Sequence, residues 1–404
     1  MAALACSAAA VAACASDGNR QTASRNGAVV IGEQVDYPET PKVDQVDMLH
    51  GQAVRDPYRW LEDPNAEATK LWIRRQNDIT FGYLEDIPER SEINARMTAL
   101  QDYERYTTPF KEGGRYFFRR NDGLQNQSVL YVAEYLDGEP RILLDPNTLS
   151  QDGTVALTSY SITDDGKMMA YGLSSAGSDW VEFRVRNIDT GRDLPDVIKW
   201  VKFSGASWTK DGRGFFYSRY DEPVAGAEHE SANYYQKLYY HRLGTPQSQD
   251  TLVYERSDKK EWGFSGNVTD DGQYLVISVW EGTSRKNGVF YKDLTDSSAG
   301  VVELLSDFDA QYSFIGNDGP RFWFVTDLDA PRQRLVEIDI ENPRRSNWET
   351  IIPESRHALS GVDAVGGHFV AAYLVDARSQ IKVFTPDGDH VRDVELPGLG
   401  SAGG

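Results

Sequence analysis

Hydrophobic positions along the chain follow two different periods. In the first part they recur at helical spacing, which predicts one amphipathic helix over residues 67–84 and a second, short helix after Pro88. The positions that share a face in these two segments are Ala68, Leu71, Trp72, Ile79 and Tyr83, followed by Ile93, Met97 and Leu100. From about residue 103 the apolar residues form short alternating or continuous runs instead, which is typical of β-strands.

These strand-like runs are rich in β-branched and aromatic residues, and turn residues separate them about every ten positions. Twelve of them are clear: residues 115–120, 128–135, 168–173, 181–188, 214–220, 237–243, 274–280, 288–294, 321–328, 334–340, 368–375 and 380–387. A further run, HVRDVELPG, covers residues 390–398. The pattern predicts a mainly β fold that follows a short helical segment.

One type of turn recurs before an apolar strand. Its glycines are Gly114, Gly166, Gly212, Gly272, Gly319 and Gly367, with successive spacings of 52, 46, 60, 47 and 48 residues. A four-stranded propeller blade takes about 40 to 50 residues, so the six turns predict six blades of a β-propeller. A second Gly turn in residues 135–140, 188–193 and 384–390 reads as the outer hairpin of a blade.

The composition narrows the functional classes. The formal net charge is −20, with 62 acidic against 42 basic residues, which argues against nucleic-acid binding. The six histidines lack the close spacing of a zinc site, and no cofactor is predicted. Asp307 with Asp309, and Asp327 with Asp329, lack the spacing of a calcium loop and read as solvated turn acids. The nine tryptophans favour packing between blades over lining a channel.

The N-terminal stretch predicts export. Residues 3–15 are small and apolar and are followed by a polar stretch, so residues 1–27 read as a leader and linker that is too short to span a membrane. Val11, Ala12, Ala13 and Cys14 resemble a bacterial lipobox, although no Lys or Arg precedes them. The expectation is an exported protein, periplasmic or held at the outer membrane by lipid on Cys14, with a low-complexity Ala-rich leader as the alternative.

Several long stretches of the chain match the motifs of one known family. The segment 37–63, YPETPKVDQVDMLHGQAVRDPYRWLED, is similar to an N-terminal signature, with DPYRWLE at 56–62 its most specific part. Further similar stretches are NDGLQNQSVLYV (121–132), LLDPN (143–147), AYGLSSAGSDWVEFRV (170–185), VKFSGASWTKDGRGFFYSRYDEP (201–223) and KLYYHRLGTPQSQDTLVYE (237–255). In these motifs, from about Tyr37 to Glu255, the chain resembles the prolyl oligopeptidase family of serine peptidases, and the repeat geometry continues the resemblance to the C-terminus.

The resemblance implies a seven-bladed propeller that covers an α/β-hydrolase domain and admits oligopeptides, which are cleaved after proline. It implies that residues 28–102 pack on the hydrolase domain and that residues 103–404 form the propeller, with six blades visible of the expected seven. The chain would then be a truncated product or gene fragment that is poorly stable alone. Its expected partners are an oligopeptide in the propeller cavity and its own hydrolase domain.

No catalytic residue is predicted in these 404 residues. A nucleophile elbow needs G-x-S-x-G, and the nearest matches, around Ser174 and Ser401, each lack one glycine. The favoured interpretation is therefore the substrate-gating part of a prolyl oligopeptidase-like serine endopeptidase, inactive without its catalytic domain. A stand-alone propeller that binds peptides or proteins at the cell surface stays open as the alternative, and a propeller glycosidase, which needs two carboxylates across a cleft, is a weaker third.

Overall fold

A computed structural model describes residues 36–224 and 232–403. Its contacts divide the chain into two units, with the boundary between Met97 and Thr98. Cys14 and the whole predicted leader lie outside the described residues.

The first unit contains a β-hairpin and the predicted helices. Its elements are β1 (Val46–Leu49), β2 (Gln52–Arg55), α1 (Glu67–Glu85) and α2 (Arg90–Gln101), the last of which crosses the boundary. Both helices confirm the sequence prediction. Neither helix in the described part of the chain is long and apolar enough to cross a membrane.

The DPYRWLE motif ties the hairpin to the segment before α1. The side chain of Arg59 donates to Asp56 at 2.6 Å and also pairs with Asp47 of β1. The Trp60 indole donates to the backbone oxygen of Pro41 at 2.9 Å, and Thr69 of α1 donates to the backbone oxygen of Trp60 at 3.1 Å. The motif therefore holds the hairpin, the segment around Pro41 and the first turn of α1 together through ion pairs and hydrogen bonds.

The described residues of the second unit form six antiparallel blades, as the sequence predicts. Blade 1 has β3 (Arg105–Tyr106), β4 (Phe110–Glu112), β5 (Arg115–Asn121), β6 (Val129–Ala133) and β7 (Arg141–Leu144). Both β3 and β4 pair with β5, so they form one inner strand that is interrupted near Pro109, which has no N–H to donate. Blade 2 has β8 (Val155–Ile162), β9 (Met168–Ser175), β10 (Val181–Asn187) and β11 (Arg192–Val201).

The other four blades repeat this order. Blade 3 has β12 (Ser207–Trp208), β13 (Gly214–Arg219), β14 (Lys237–Arg242) and β15 (Thr251–Tyr254). Blade 4 has β16 (Trp262–Val268), β17 (Tyr274–Glu281), β18 (Asn287–Asp293) and β19 (Val301–Leu305). Blade 5 has β20 (Tyr312–Asp318), β21 (Arg321–Thr326), β22 (Arg334–Asp339) and β23 (Glu349–Ile352). Blade 6 has β24 (Ala358–Val365), β25 (His368–Val375), β26 (Arg378–Phe384) and β27 (His390–Val394).

All six predicted glycines lie in the turn between the first and second strands of a blade. Each adopts a positive φ, from 56° at Gly319 to 82° at Gly114, a conformation in which other residues are strained. The three predicted outer turns connect the third and fourth strands of blades 1, 2 and 6. The turn pattern thus fixes both the number of blades and the position of their hairpins.

Antiparallel pairing gives each blade two ends. The turns that follow the first and third strands lie at one end, which we call the glycine face. The blade-to-blade connections and the turns between second and third strands lie at the other end, which we call the loop face. Neighbouring blades have the same orientation, since Lys210 and Asp164, from the first turns of blades 3 and 2, pair at 2.8 Å.

The core lies in the seams between blades. Buried clusters join Phe117 of blade 1 to Met169 of blade 2, and Val325 of blade 5 to Phe369 of blade 6. Corresponding clusters fill the three seams between them. Burial of each such side chain contributes about 1.5–3 kcal/mol, so packing between blades is a major source of stability.

The seam between blades 2 and 3 also has backbone pairing. Val201 of β11 pairs with Arg219 of β13, which makes the two blades one continuous sheet. The Gln247 side chain adds two 3.0 Å hydrogen bonds, one from the backbone N–H and one to the backbone oxygen of Lys199. This seam holds the fourth strand of blade 2 in register with blade 3.

Candidate functional site

In the part of the propeller that the structure describes, left-handed backbone at residues other than glycine is confined to the loop face. In the described part of the second unit, nine residues other than glycine have a positive φ, and all lie at this face: Ala176, Trp200, Phe203, Tyr235, Phe308, Asp329, Gln333, Asp376 and Ala377. On the glycine face the described left-handed residues are glycines. Strain of this kind persists where the surrounding structure enforces it, and it clusters at functional sites. The loop face is therefore the candidate functional surface.

Four of the strained residues are aromatic, and two of them lie close together at the end of blade 2 and in its connection to blade 3. Trp200 at the end of β11 has φ 64°, and Phe203, with a side chain 51% exposed, has φ 56°. The Gln236 side chain donates to the backbone oxygen of Lys202 at 2.7 Å. The hydroxyl of Ser204 accepts from the backbone N–H of Ser218 at 2.8 Å. These contacts with blade 3 hold the segment in its strained path.

The rings at this position form an aromatic cluster. Trp180, in the turn between β9 and β10, meets Trp200 edge to face with ring centres 5.6 Å apart, and Tyr220 lies 6.2 Å from Trp180. The Lys202 ammonium lies 4.9 Å from the centre of the Trp180 ring and 5.5 Å from that of Phe203. We call Trp180, Trp200, Lys202, Phe203 and Tyr220 the aromatic platform.

An open groove of about 640 Å³ adjoins the platform. It is lined by Trp180 and Trp200, by the turn residues 175–178 and by side chains of both charges, Glu182 and Lys199. Such a surface suits an extended peptide, because flat rings stack on proline and a cation attracts a carboxylate. Within its described lining, no hydroxyl or thiol is paired with a base.

The structure also places the residues that the sequence analysis considered. Ser174 donates its hydroxyl to the backbone oxygen of Ser178 within a turn, and Ser401 lies in the exposed segment after β27. Asp309 accepts from the Tyr312 hydroxyl at 2.8 Å and pairs with Arg345, which also contacts Asp307 at 3.1 Å. Desolvation opposes the charge of Asp309, but these hydrogen bonds outweigh it and lower its pKa.

Asp327 accepts from the backbone N–H of Gln311 at 2.7 Å, and Asp329 has a positive φ. Asp309 and Asp327 thus have structural partners, which the interpretation of solvated turn acids missed.

The tryptophans have different roles. Trp208 is 6% exposed and donates to the backbone oxygen of Ser161 at 3.0 Å, so it packs between blades 2 and 3, whereas Trp180 and Trp200 line the groove. The stretches 170–185 and 201–223, which carry the family resemblance, contain four of the five platform residues, but the sequence does not identify them as one site. Their aromatic residues are the signal that the sequence contains.

The repeated blades define a β-propeller, and comparison with known proteins gives its family. The family model for the prolyl oligopeptidase N-terminal β-propeller domain matches residues 38–404. The chain therefore belongs to the prolyl oligopeptidase family, as the motifs predict.

The curated relatives carry the same family name. The chain is 39% identical over 368 residues to a prolyl endopeptidase of Elizabethkingia miricola, covering 91% of this chain and 52% of the relative. It is 33% identical over 408 residues to prolyl oligopeptidase A of Galerina marginata, covering 91% of this chain and 54% of the relative. The chain thus spans about half the length of the curated relatives it matches.

Solved structures agree with this assignment. Prolyl oligopeptidase B from Galerina marginata, bound to a 35mer hydrolysis and macrocyclization substrate, has a TM-score of 0.82 at 26% identity, over 92% of this chain and 55% of that one. A prolyl endopeptidase studied for inter-domain dynamics in catalysis and specificity has a TM-score of 0.69 at 38% identity, over 91% of this chain and 53% of that one. The matches cover the N-terminal propeller part of these proteins.

Proposed function

We propose that the propeller binds proline-containing oligopeptides on its loop face and controls their access to the serine endopeptidase site of a prolyl oligopeptidase. The observation that carries this proposal is the aromatic platform, in which Trp200 and Phe203 are held in strained conformations. A fold keeps such strain where it serves binding. The solved neighbour that is bound to a 35mer hydrolysis and macrocyclization substrate supports the choice of ligand.

Cleavage after proline is proposed from the family. The 404 residues contain no G-x-S-x-G sequence, so we assign the chemistry to an α/β-hydrolase domain. The helices of the first unit are proposed to pack on that domain. Apolar side chains of α1 and α2 support this role, since Phe81 is 52%, Tyr83 56% and Met97 61% exposed.

Export and lipid attachment at Cys14 are further parts of the proposal, supported by residues 3–15. Mass spectrometry of the protein from a membrane fraction tests them. We expect cleavage before Cys14 and a lipid on its thiol, and Cys14→Ser should release the protein from the membrane. An unmodified N-terminus would contradict this part while leaving the peptide-binding proposal intact.

Peptide binding is tested by titrating the 404-residue protein with a proline-containing peptide and with the same peptide carrying alanine for proline. We expect the tryptophan fluorescence to change with the proline peptide. Trp200→Ala and Phe203→Ala should weaken its affinity about tenfold, as for a central aromatic contact. Trp348→Ala is the matched control, because Trp348 lies on blade 5 and packs beside Arg345. Equal affinity for both peptides, or equal effects of all three variants, would contradict the proposal.

A hydrolysis assay distinguishes the propeller of a prolyl oligopeptidase from a stand-alone binding module. A gene product whose reading frame includes a hydrolase domain should cleave a Gly-Pro chromogenic substrate, and the 404-residue protein should not. Turnover by the 404-residue protein would overturn our assignment of the chemistry. Peptide binding by a complete gene product that shows no hydrolysis would favour the stand-alone binding module.

A further inference from the structure

A histidine lies buried in the seam between blades 2 and 3. His241 of β14 has no exposed surface, and each of its ring nitrogens meets a carboxylate. Nδ1 lies 2.7 Å from Oδ1 of Asp250, and Nε2 lies 3.0 Å from Oδ1 of Asp196. Asp196 belongs to β11 of blade 2, whereas Asp250 immediately precedes β15 of blade 3, so the ring joins the two blades.

The other hydrogen bonds of this cluster indicate the protonation state of the His241 ring. Oδ1 of Asp196 accepts from the backbone N–H of Gly244 at 2.6 Å, and Oδ2 of Asp250 accepts from the Tyr217 hydroxyl at 2.6 Å. Each carboxylate therefore accepts a hydrogen bond from another donor, and a ring that donates from both nitrogens completes the arrangement. The geometry favours an imidazolium between two aspartates.

The surroundings favour the charged ring. Burial opposes the charge of His241, but the hydrogen bonds and negative charges of Asp250 and Asp196 outweigh it and raise its pKa. Tyr217 of β13 faces the same cluster, and the pKa of its hydroxyl is raised by burial and by Asp250. Arg219 is the nearby cation that acts on Tyr217, and the Phe215 ring packs on the imidazole with centres 5.3 Å apart.

The cluster leads directly to the aromatic platform. From Asp196, β11 runs along blade 3 through the two Lys199–Gln247 hydrogen bonds to Trp200, whose backbone oxygen accepts from Tyr220 N–H at 3.1 Å. The pairing of Val201 with Arg219 follows. The register of β11 against blade 3 thus determines where Trp200 and the next residues of the platform lie.

We propose that His241 is a positioning residue, whose imidazolium fixes β11 to blade 3 and thereby holds Trp200 and Phe203 in the conformations that bind peptide. Loss of its proton leaves two buried carboxylates with one donor fewer between them, which loosens the seam. Peptide affinity and the geometry of the platform then depend on the charge of a side chain that never touches the ligand. The peptide part of this proposal rests on the proposed function.

The direction of the pH dependence follows from the raised pKa. A group with a higher pKa in the folded protein contributes stability that is complete below its unfolded value, about 6.5 for histidine, and is lost as the pH rises through the folded value. The stabilised platform should therefore be present in mildly acidic solution and weaken at higher pH.

The test follows two signals of the 404-residue protein as a function of pH. Near-ultraviolet circular dichroism reports on the packing of the aromatic side chains, with the Trp180–Trp200 pair among them, and titration reports on the affinity for a proline-containing peptide. Asp196→Asn keeps an oxygen acceptor at this position but removes one negative charge, so it should move the midpoint of both signals to lower pH. Its affinity in mildly acidic solution should fall less than that of His241→Gln.

His241→Gln removes the titrating group. It should weaken peptide affinity about tenfold and abolish the pH dependence in this range. His390→Gln is the matched control, because His390 also pairs with an aspartate, Asp393 at 2.7 Å, but is 47% exposed on blade 6. It should leave both signals unchanged.

Several results would overturn the proposal. The midpoint could be the same in Asp196→Asn and the unmodified protein, or His241→Gln could retain both the dichroism signal and the affinity. If the unmodified protein binds no proline-containing peptide, the proposed function fails, but the dichroism midpoints still decide the positioning role. If His241→Gln does not fold, the comparison of Asp196→Asn with the unmodified protein decides it.

Discussion

The side chain of Gln236 joins the platform to blade 4, because its Oε1 accepts a 2.6 Å hydrogen bond from the backbone N–H of Phe264. Its Nε2 donates at 2.7 Å to the backbone oxygen of Lys202. One buried amide thus satisfies backbone groups from blade 4 and from the connection between blades 2 and 3.

Gln236→Ala should destabilise the protein by about 2–4 kcal/mol, since it leaves a buried N–H and a buried C=O without their partner. Urea unfolding measures this change. Gln273→Ala is the control, because Gln273 is exposed and its side chain donates to Asp271 within its own turn, so the change should stay within about 0.5 kcal/mol. Similar losses of unfolding free energy in both variants would contradict a stabilising role for the Gln236 hydrogen bonds to Lys202 and Phe264.

Two adjacent glycines on blade 1 allow the cost of a steric overlap to be measured separately from the cost of backbone strain. A methyl group on Gly113 would overlap the backbone of Asp165 in blade 2, whereas one on Gly114 would meet open space. Both residues have a positive φ. Gly114→Ala should therefore cost about 1 kcal/mol from strain alone, and Gly113→Ala about 2–5 kcal/mol because the two turns must move apart. Thermal unfolding of the pair checks the difference, and equal costs would contradict the tight contact.

The left-handed backbone of Phe203 predicts how substitutions at this position change stability and peptide binding. Phe203→Gly should be about 1 kcal/mol more stable than Phe203→Ala, because glycine adopts the left-handed conformation without cost. Both variants lose the ring and should bind the proline peptide more weakly. Urea unfolding together with the peptide titration gives both quantities. A glycine variant less stable than the alanine variant would argue against strain at this position.

The Thr-x-Asp-Gly turns of blades 2, 3 and 4 predict a response to acid. Desolvation raises the pKa of Asp165, Asp211 and Asp271, but hydrogen bonds from a threonine hydroxyl and a backbone N–H outweigh it, so their pKa values are lowered. Carboxylates of this kind contribute stability above their unfolded pKa, about 3.9, and lose it as the pH falls through the folded value.

Replacing all three aspartates with asparagine keeps the acceptors but removes the titration. The free energy of unfolding of this variant should fall less steeply below about pH 4 than that of the unmodified protein. Unfolding in urea across this pH range measures the slope. Parallel curves for the two proteins would show that these turns do not contribute to the acid response.

The sequence predicted the middle of each blade better than its edges. The twelve apolar runs correspond to the second and third strands of the six blades, such as β9 and β10, which have neighbouring strands on both sides. Most first and fourth strands were not identified. β12 has only two residues, and β11 contains Pro195 and alternates buried with exposed positions, so neither gives a continuous apolar signal.

The candidate site was less accessible to sequence reasoning. A glycine in a turn sequence indicates a positive φ, and this signal predicts all six glycine turns. Trp200 and Phe203 adopt one because of contacts from distant residues, such as Ser218 on Ser204, which no local pattern encodes. Nothing in the sequence distinguishes His241 from the other five histidines, because Asp196, which contacts its ring, lies 45 residues away along the chain.

The continuous sheet across blades 2 and 3 has a consequence for protein engineering. Propeller blades are usually treated as interchangeable modules, each of which is bounded by its own four strands. A cut between β11 and β13 would break backbone pairing, the Gln247 bonds and the charged histidine cluster at once. The smallest part of this propeller that could be exchanged with a relative is therefore the two-blade pair, transferred together with the aromatic platform it carries.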